Sequence, residues 1–200
     1  MRILPLSWYQ NPDVVALARD LVGMVLATEF DGERTAGRIV ETEAYMGAQD
    51  RASHAYKGRT PRTEVMFGAG GRAYVYLCYG IHQLFNIVTN TDGIPHAILV
   101  RALEPLEGIE TMLRRTGKKS LDASLTRGPG NVGKALGFHT TQCGRLLTGP
   151  ELSIGDDGFR FPPGRVLASP RIGVDYAGED AALPFRFYVS GHPNVSGKPR

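Results

Sequence analysis

The dipeptide Asp31-Gly32 separates two segments with strand-like composition, VLATEF at 25–30 and ERTAGRIVETEAY at 33–45. Asp-Gly suits the left-handed backbone angles of a two-residue turn, so the two segments are predicted to form a β-hairpin. The hairpin is the strongest local constraint on this chain, because it requires an antiparallel strand pair in its first quarter. Any fold proposed for the remaining residues has to extend that pair.

Further strands are predicted from alternating or apolar segments at 72–80, 83–90, 96–103, 164–174 and 184–191. Helices are predicted at 12–22, with Asn11 as N-cap and Pro12 in the first turn, at 107–116, and from Pro129 onward. Strands and helices do not alternate regularly, which favours the α+β class. We therefore predict a single compact domain, residues 1–200, with a curved, largely antiparallel β-sheet and surrounding helices.

The sequence does not match the motifs that are typical of cofactor-binding and metal-binding enzymes. GAGGRA at 68–73 imitates a dinucleotide fingerprint, but the glycines precede a strand where the fingerprint requires them to follow one. The five histidines include no HExxH motif, and Cys78 and Cys143 lie outside any CxxC pattern. No metal and no cofactor are therefore expected, and the two cysteines are expected to be reduced thiols.

The charge of the chain is compatible with a polyanionic partner, since its formal net charge is +3 and its pI is about 8.9. Basic residues cluster in three groups, although solvated surface charge explains each group equally well. The groups are Lys57, Arg59, Arg62 and Arg72; Arg114, Arg115, Lys118 and Lys119; and Arg127 and Lys134. No run approaches the roughly 18 apolar residues of a membrane span, so a soluble, unexported protein is expected.

The carboxylates of the second hairpin strand are more informative than the net charge. Alternation places Ile39, Glu41, Glu43 and Tyr45 on one face of that strand. Two acids on one face would be costly in a dry core, so the face is either solvated or lines a site. Tyrosines of the segment 72–80 present a similar choice: they pack in the core, or they form a stacking surface with one ring protruding beside Gly80.

These residues, taken in order along nearly the whole chain, resemble the alkyladenine DNA glycosylase family, also called 3-methyladenine DNA glycosylase of the mammalian type. The matching segments are ETEAY at 41–45, His54, TPR at 60–62, MF at 66–67, YVYLCYG at 74–80, Asn86, DG at 92–93, VRALEPLEG at 100–108, RGPG at 127–130 and RFYVSG at 186–191. The resemblance implies hydrolysis of the N-glycosidic bond of damaged purines after the nucleotide is rotated out of the duplex.

Carried over residue by residue, the resemblance implies a role for each matching position. Glu43 corresponds to the general base, assisted by Arg101 and by the backbone carbonyl of Val189. The base pocket corresponds to Tyr45, His54, Tyr76 and Asn86, with Asn86 crowding the 2-amino group of guanine, and Tyr79 corresponds to the residue that fills the gap in the duplex. As phosphate contacts we nominate Arg127 and Lys134 at the amino end of the RGPG helix and, more weakly, Arg59, Arg62 and Arg72.

The resemblance also sets expectations for partners and location. Double-stranded DNA with damaged purines is the expected partner of a monofunctional, monomeric enzyme in the bacterial cytoplasm, with no membrane association. Ile81 and His82 depart from the family pattern beside Tyr79, which leaves contacts there open. Two other functions also remain open, a non-catalytic damaged-DNA binding module and a nucleoside hydrolase, and so does the order of preference among damaged purines.

Overall fold

The computed structural model describes residues 1–197, and within them nine strands form one antiparallel sheet. The strands are β1 (Arg2–Ile3), β2 (Val25–Phe30), β3 (Glu33–Tyr45), β4 (Arg72–Cys78), β5 (His82–Thr89), β6 (His96–Glu107), β7 (Leu152–Asp156), β8 (Val166–Ser169) and β9 (Arg186–Val189). The α-helices are α1 (Leu6–Tyr9), α2 (Val14–Asp20), α3 (Ile109–Thr116) and α4 (Pro129–Leu136). The predicted α+β class with a curved, largely antiparallel sheet is confirmed.

The predicted hairpin is also confirmed and supplies the centre of the sheet. Asp31 and Gly32 have φ angles of 56° and 73°, and Phe30 pairs with Glu33. The strand order is β1-β7-β2-β3-β6-β5-β4, with β9 pairing both β3 and β8. Strand β3 has β6 along one edge, while its other edge is shared by β2 and then β9. Neighbours on both edges enclose the second half of β3, which carries the two glutamates.

Helices α2 and α4 cover the sheet. The amino end of α4 lies close to the turn between β4 and β5. Helix α4 approaches β5 so closely that a Cβ atom on Gly133 would lie 1.8 Å from the carbonyl oxygen of Gln83. Phe138, just beyond α4, stacks on Phe85 with ring centroids 4.2 Å apart. Fully burying such a ring contributes about 1.5–3 kcal/mol, so this contact holds α4 firmly on the sheet.

Two predicted helix starts were wrong, because in each case the residue assigned to the start of the helix makes a different interaction. Asp13, rather than Asn11, caps α2, since its carboxylate accepts the amide of Ala16 at 2.9 Å. The helix predicted from Glu107 begins at Ile109, because Glu107 still pairs with β3 as the last residue of β6. Gly108, with a φ of 72°, makes the sharp change of direction between strand and helix.

The sequence patterns missed three short elements, α1, β1 and β7. Strand β7 lies between β1 and β2 in the sheet, so its existence depends on partners more than 100 residues away in the chain. The strand predicted at 164–174 shortens to β8, which ends before Pro170, and the one at 184–191 shortens to β9. Across residues 1–197, no helix combines the length and the apolar character needed to cross a bilayer.

Candidate active site

Glu41 and Glu43 lie fully buried on β3, joined by the side chain of Arg101 from β6. Arg101 donates from Nε to Oε1 of Glu41 at 3.0 Å and from Nη1 to Oε2 of Glu43 at 3.2 Å. A solvated strand face is therefore excluded. Glu41, Glu43 and Tyr45 lie on one face of β3, as predicted. Ile39 does not share that face and belongs to the main hydrophobic cluster, because the pairing of β3 with β6 is irregular between Ile39 and Glu41.

The carboxylate of Glu43 accepts three hydrogen bonds. Its Oε2 accepts from Arg101 and from the hydroxyl of Tyr45 at 2.8 Å, and its Oε1 accepts from the amide of Ile172 at 2.7 Å. All three partners donate, so together they hold the carboxylate in one orientation. Oε1 uses one acceptor position for Ile172, which leaves a second available for a further donor.

The backbone group that contacts the carboxylate of Glu43 belongs to Ile172, whose amide donates to Oε1. The contact expected from the carbonyl of Val189 stays a prediction. Register along β9 places Arg186 opposite Glu43, with Val189 three residues further along the strand. The carbonyl of Val189 accepts the amide of His192 at 3.2 Å, which leaves its second acceptor position for the predicted contact. Ile172 lies in the loop after β8, where no local pattern in the sequence marks it as a contact.

Glu41 is surrounded by a different set of donors, which tie the end of the described chain to β3. Its Oε1 accepts from Arg101, from Nε of Arg186 at 2.7 Å and from Oγ of Ser196 at 3.0 Å, and its Oε2 accepts the amide of Ser196 at 2.6 Å. Every acceptor position near Arg101 and Arg186 is thus occupied by protein. Glu41 accepts four hydrogen bonds from protein groups, and its charge balances the buried arginines, a role that sequence reasoning missed.

A second buried ion pair, Asp50 with Arg171, holds the loop that carries Ile172. Arg171 donates to both carboxylate oxygens of Asp50 and to the carbonyl of Ala44 at 2.8 Å. Its guanidinium carbon also lies 4.8 Å from the ring centroid of Tyr45. The pair therefore positions both the amide that meets Glu43 and the aromatic ring beside it.

A cavity of about 450 Å³ opens in front of this carboxylate cluster, a volume suited to a small flat ligand. Tyr76 forms one wall, with the His54 ring edge-on to it at 4.6 Å and Tyr74 beside it at 5.4 Å. Seven of the site residues named from the sequence line the cavity together: Tyr45, His54, Arg62, Tyr76, Tyr79, Asn86 and Arg101. Glu43 lies directly behind Tyr45 and Arg101.

The imidazole of His54 is held neutral and in one tautomer. Its Nε2 lies 3.5 Å from Nη2 of Arg62, which can only donate, so Nε2 is the acceptor and Nδ1–H donates to the hydroxyl of Tyr74 at 2.9 Å. Burial, together with the charge of Arg62, lowers the pKa of His54 to about 4. The imidazole is therefore uncharged at neutral pH.

The tyrosine walls are also uncharged. Burial, reinforced by the negative charge of Glu43, raises the pKa of Tyr45 well above its ordinary value, and burial likewise raises the pKa of Tyr76. Both phenols stay protonated across the physiological range. Asn86 completes the wall, its Nδ2 donating to the carbonyls of Tyr74 at 3.2 Å and Leu84 at 3.4 Å, which fixes the orientation of the carboxamide.

Tyr79 protrudes at the mouth of the cavity, in the turn between β4 and β5. Its side chain is 91% exposed, and its backbone has a φ of 50°, followed by 72° at Gly80. The left-handed conformation is uncommon for a tyrosine and costs on the order of 1 kcal/mol or more. The turn thus projects an aromatic ring into solvent beside a base-sized cavity.

The five nominated phosphate contacts lie in different surroundings. Arg62 lines the cavity, whereas Arg59 pairs with Glu64 at 2.9 Å and Arg72 donates to the carbonyl of Gly144 at 3.1 Å. Arg127, just before α4, donates to the carbonyl of Pro193 at 3.0 Å. Lys134 was expected at the amino end of α4 but lies in its last turn, where it donates to the carbonyl of Thr116 at 3.3 Å.

The fold and this cavity together define a class of protein, in which an antiparallel sheet carries a base-sized cavity with uncharged aromatic walls and a buried carboxylate behind them. Comparison with known proteins makes the class specific. The family model described as methylpurine-DNA glycosylase (MPG) matches residues 7–193. The chain belongs to the methylpurine-DNA glycosylase family of DNA repair enzymes, which confirms the resemblance seen in the sequence.

Relatives match over essentially the whole chain. A protein of Myxococcus xanthus (strain DK1622), named "Putative 3-methyladenine DNA glycosylase", is 49% identical over 199 residues, covering 100% of this chain and 96% of its own length. Proteins of the same name from Chlamydia abortus (strain DSM 27085 / S26/3) and Bacillus cereus (strain G9842) are 46% and 44% identical. They cover 94% and 97% of this chain, and 98% of their own lengths.

Proposed function

We propose that this protein is a monofunctional DNA glycosylase that rotates damaged purine nucleotides out of duplex DNA and hydrolyses the N-glycosidic bond, leaving an abasic site. The observation that carries the proposal is the buried carboxylate of Glu43, held by three donors directly behind a cavity of about 450 Å³ with aromatic walls. A carboxylate fixed there would lie next to the sugar of a base bound between those walls.

The substrate base enters the cavity between Tyr45, His54 and Tyr76, with its flat faces against uncharged rings. Extruding a base costs a few kcal/mol, and it costs least when damage has weakened pairing, so selection begins before chemistry. Tyr79 fills the space that the base leaves in the duplex. The Asn86 carboxamide, fixed by its two donor bonds, crowds the 2-amino group of guanine and disfavours that normal base.

In the chemical step, water attacks C1′ while the bond from C1′ to the base nitrogen breaks and its electron pair leaves with the base. Glu43 accepts the proton of the water through the acceptor position of Oε1 that Ile172 does not occupy. The negative carboxylate also stabilises the positive charge that develops on the sugar. We assign water as the nucleophile because none of the described residues lining the cavity is a lysine.

The DNA backbone is proposed to run past the amino end of α4, where Pro129 lines the cavity and Arg127 precedes the helix. A shallow groove on the other side of the mouth is lined by Arg51 and Lys57 and adds positive charge to the same surface. Arg59, Arg72 and Lys134 remain candidates for outer phosphates. Such contacts supply affinity that weakens with salt and carry no base selectivity.

The proposed function is tested by single-turnover release of hypoxanthine, ethenoadenine and 3-methyladenine from defined duplexes. We expect free base with an intact strand, and strand cleavage only after alkali is added. Tight lesion binding without release would instead identify a non-catalytic damaged-DNA binding module. Release from free nucleosides as fast as from duplex would identify a nucleoside hydrolase.

The proposed role of Tyr79 predicts that Tyr79→Ser slows excision from duplex DNA. Stacking of an aromatic side chain on a base is worth about 1–3 kcal/mol, so a loss of roughly 5- to 100-fold is expected. Excision from a single strand of the same sequence serves as the control and should change little, because it has no base stack to fill. Equal effects on both substrates would contradict a role in filling the duplex.

A further inference from the structure

Arg62, an exposed residue that lines the cavity, brings a positive charge to its wall. Its guanidinium carbon lies 4.8 Å from the ring centroid of Tyr76, and its Nη2 lies 3.5 Å from Nε2 of His54. Among the described residues, no carboxylate lies within ion-pair distance of Arg62, and the acid nearest in sequence, Glu64, pairs with Arg59. The proposed catalytic reaction leaves this charge unexplained.

The remaining charges around the cavity do not offset Arg62. Arg101 also lines the cavity, but Glu41 and Glu43 neutralise it, and no carboxylate is among the described lining residues. His54 is uncharged, because its pKa lies at about 4. A ligand in the cavity therefore meets a net positive wall.

A guanidinium already lies over the ring of each of the two stacking tyrosines, Tyr45 and Tyr76. Arg171, which does not line the cavity, lies 4.8 Å from the ring centroid of Tyr45, and Arg62 lies at the same distance from Tyr76 on the cavity side. The negative face of an aromatic ring attracts a cation, and a guanidinium beside that face weakens the attraction for a second one. These tyrosines are therefore poorer partners for a cationic base than bare rings would be.

We propose that Arg62 selects the charge of the damaged base, favouring neutral lesions with a hydrogen-bond acceptor edge, such as hypoxanthine, over cationic lesions such as 3-methyladenine. The inference rests on the proposed function and names the substrate class of the same cavity. A carbonyl or ring nitrogen of a neutral base accepts a hydrogen bond from the guanidinium. A base that is already positive meets repulsion from the guanidinium, which solvent screens in part.

The chemical step acts in the same direction. A neutral base gains negative charge as the electron pair of the C1′–N bond moves onto it, and Arg62 stabilises that charge. A cationic base becomes neutral in the same step and gains nothing from a nearby cation. The preference for neutral over cationic lesions is therefore measured with the second-order rate constant of excision for each lesion, which includes both binding and chemistry.

The test compares hypoxanthine and 3-methyladenine in matched duplexes, using single-turnover excision at sub-saturating enzyme. Neither base has a 2-amino group, so Asn86 does not affect the comparison. We expect Arg62→Gln to lower the ratio of the hypoxanthine rate to the 3-methyladenine rate by about tenfold, the order expected for a partly solvent-screened charge. Arg62→Lys, which keeps the charge, should retain most of the ratio.

Arg59→Gln is the matched control, because Arg59 is an exposed arginine of the same loop that pairs with Glu64 and lies over Phe67. It should leave the ratio unchanged. An unchanged ratio in Arg62→Gln, or an equal fall in both rates as for a phosphate contact, would overturn charge selection. Failure of the proposed function is distinguishable, because the wild-type protein would then release neither base.

Discussion

Glu43→Gln is expected to reduce single-turnover excision of hypoxanthine by a factor of about 10² to 10⁴, the range for losing a positioned general base. The amide side chain cannot take a proton from water, and it leaves the charge developing on the sugar without a counterion. Binding of lesion-containing duplex should be retained, because the aromatic walls and the surface loops are unchanged. Excision is measured by base release with enzyme in excess, and binding by fluorescence anisotropy.

The fold is expected to tolerate this substitution. The side-chain oxygen of glutamine can still accept the amide of Ile172, and Arg101 keeps its bond to Glu41. The amide N–H₂ of the glutamine faces Arg101, which also donates, so a lower melting temperature is expected, and excision is compared at a temperature at which both proteins are folded. Retained excision in Glu43→Gln would remove Glu43 from the role of base, whereas loss of excision together with lesion binding would assign it to substrate binding.

Glu41→Gln is expected to act on stability instead, lowering the free energy of unfolding by about 3–5 kcal/mol. Glu41 is completely buried and accepts from Arg101, Arg186 and Ser196. Glutamine removes the charge that balances Arg186 and presents an amide N–H₂ to groups that also donate. Equilibrium denaturation in urea measures the loss.

Glu107→Gln provides the control for this prediction. Glu107 pairs with Arg34 on the surface, where both side chains are about half exposed, and an exposed ion pair contributes only about 0–1 kcal/mol. A loss in Glu41→Gln no larger than in Glu107→Gln would show that the buried cluster does not depend on the charge of Glu41. Glu41 and Glu43 would then not have the different roles that their hydrogen-bond partners indicate.

Patterns within a few residues correctly predicted much of the fold. Asp31-Gly32 forms its hairpin because the conformation of a two-residue turn depends on those residues alone. Alternation of side chains on a strand placed Glu43 beside Tyr45, and Tyr74 beside Tyr76. The motifs that carried the family resemblance also identified most residues of the cavity. Residues that line a pocket from one strand lie at regular intervals in the sequence, so a short motif includes them.

Partners that come from distant parts of the chain could not be predicted in this way. Ile172 meets Glu43 from a loop 129 residues away, and Ser196 meets Glu41 from 155 residues away. The register of β9 against β3, which places Arg186 opposite Glu43, likewise joins two distant parts of the chain. Register and irregular pairing depend on the packing of the whole sheet, so a sequence pattern cannot state them.

The sequence by itself therefore determined the hairpin, the α+β class, the family and the identity of the buried carboxylate, since each depends on local geometry or on motifs. Only the tertiary structure decided which donors hold Glu43, that Glu41 is a balanced structural charge, and that Arg62 lines the cavity. The physical reason is that charge and hydrogen-bond satisfaction in a buried site depend on the three-dimensional neighbours of each group, which the chain brings together only on folding.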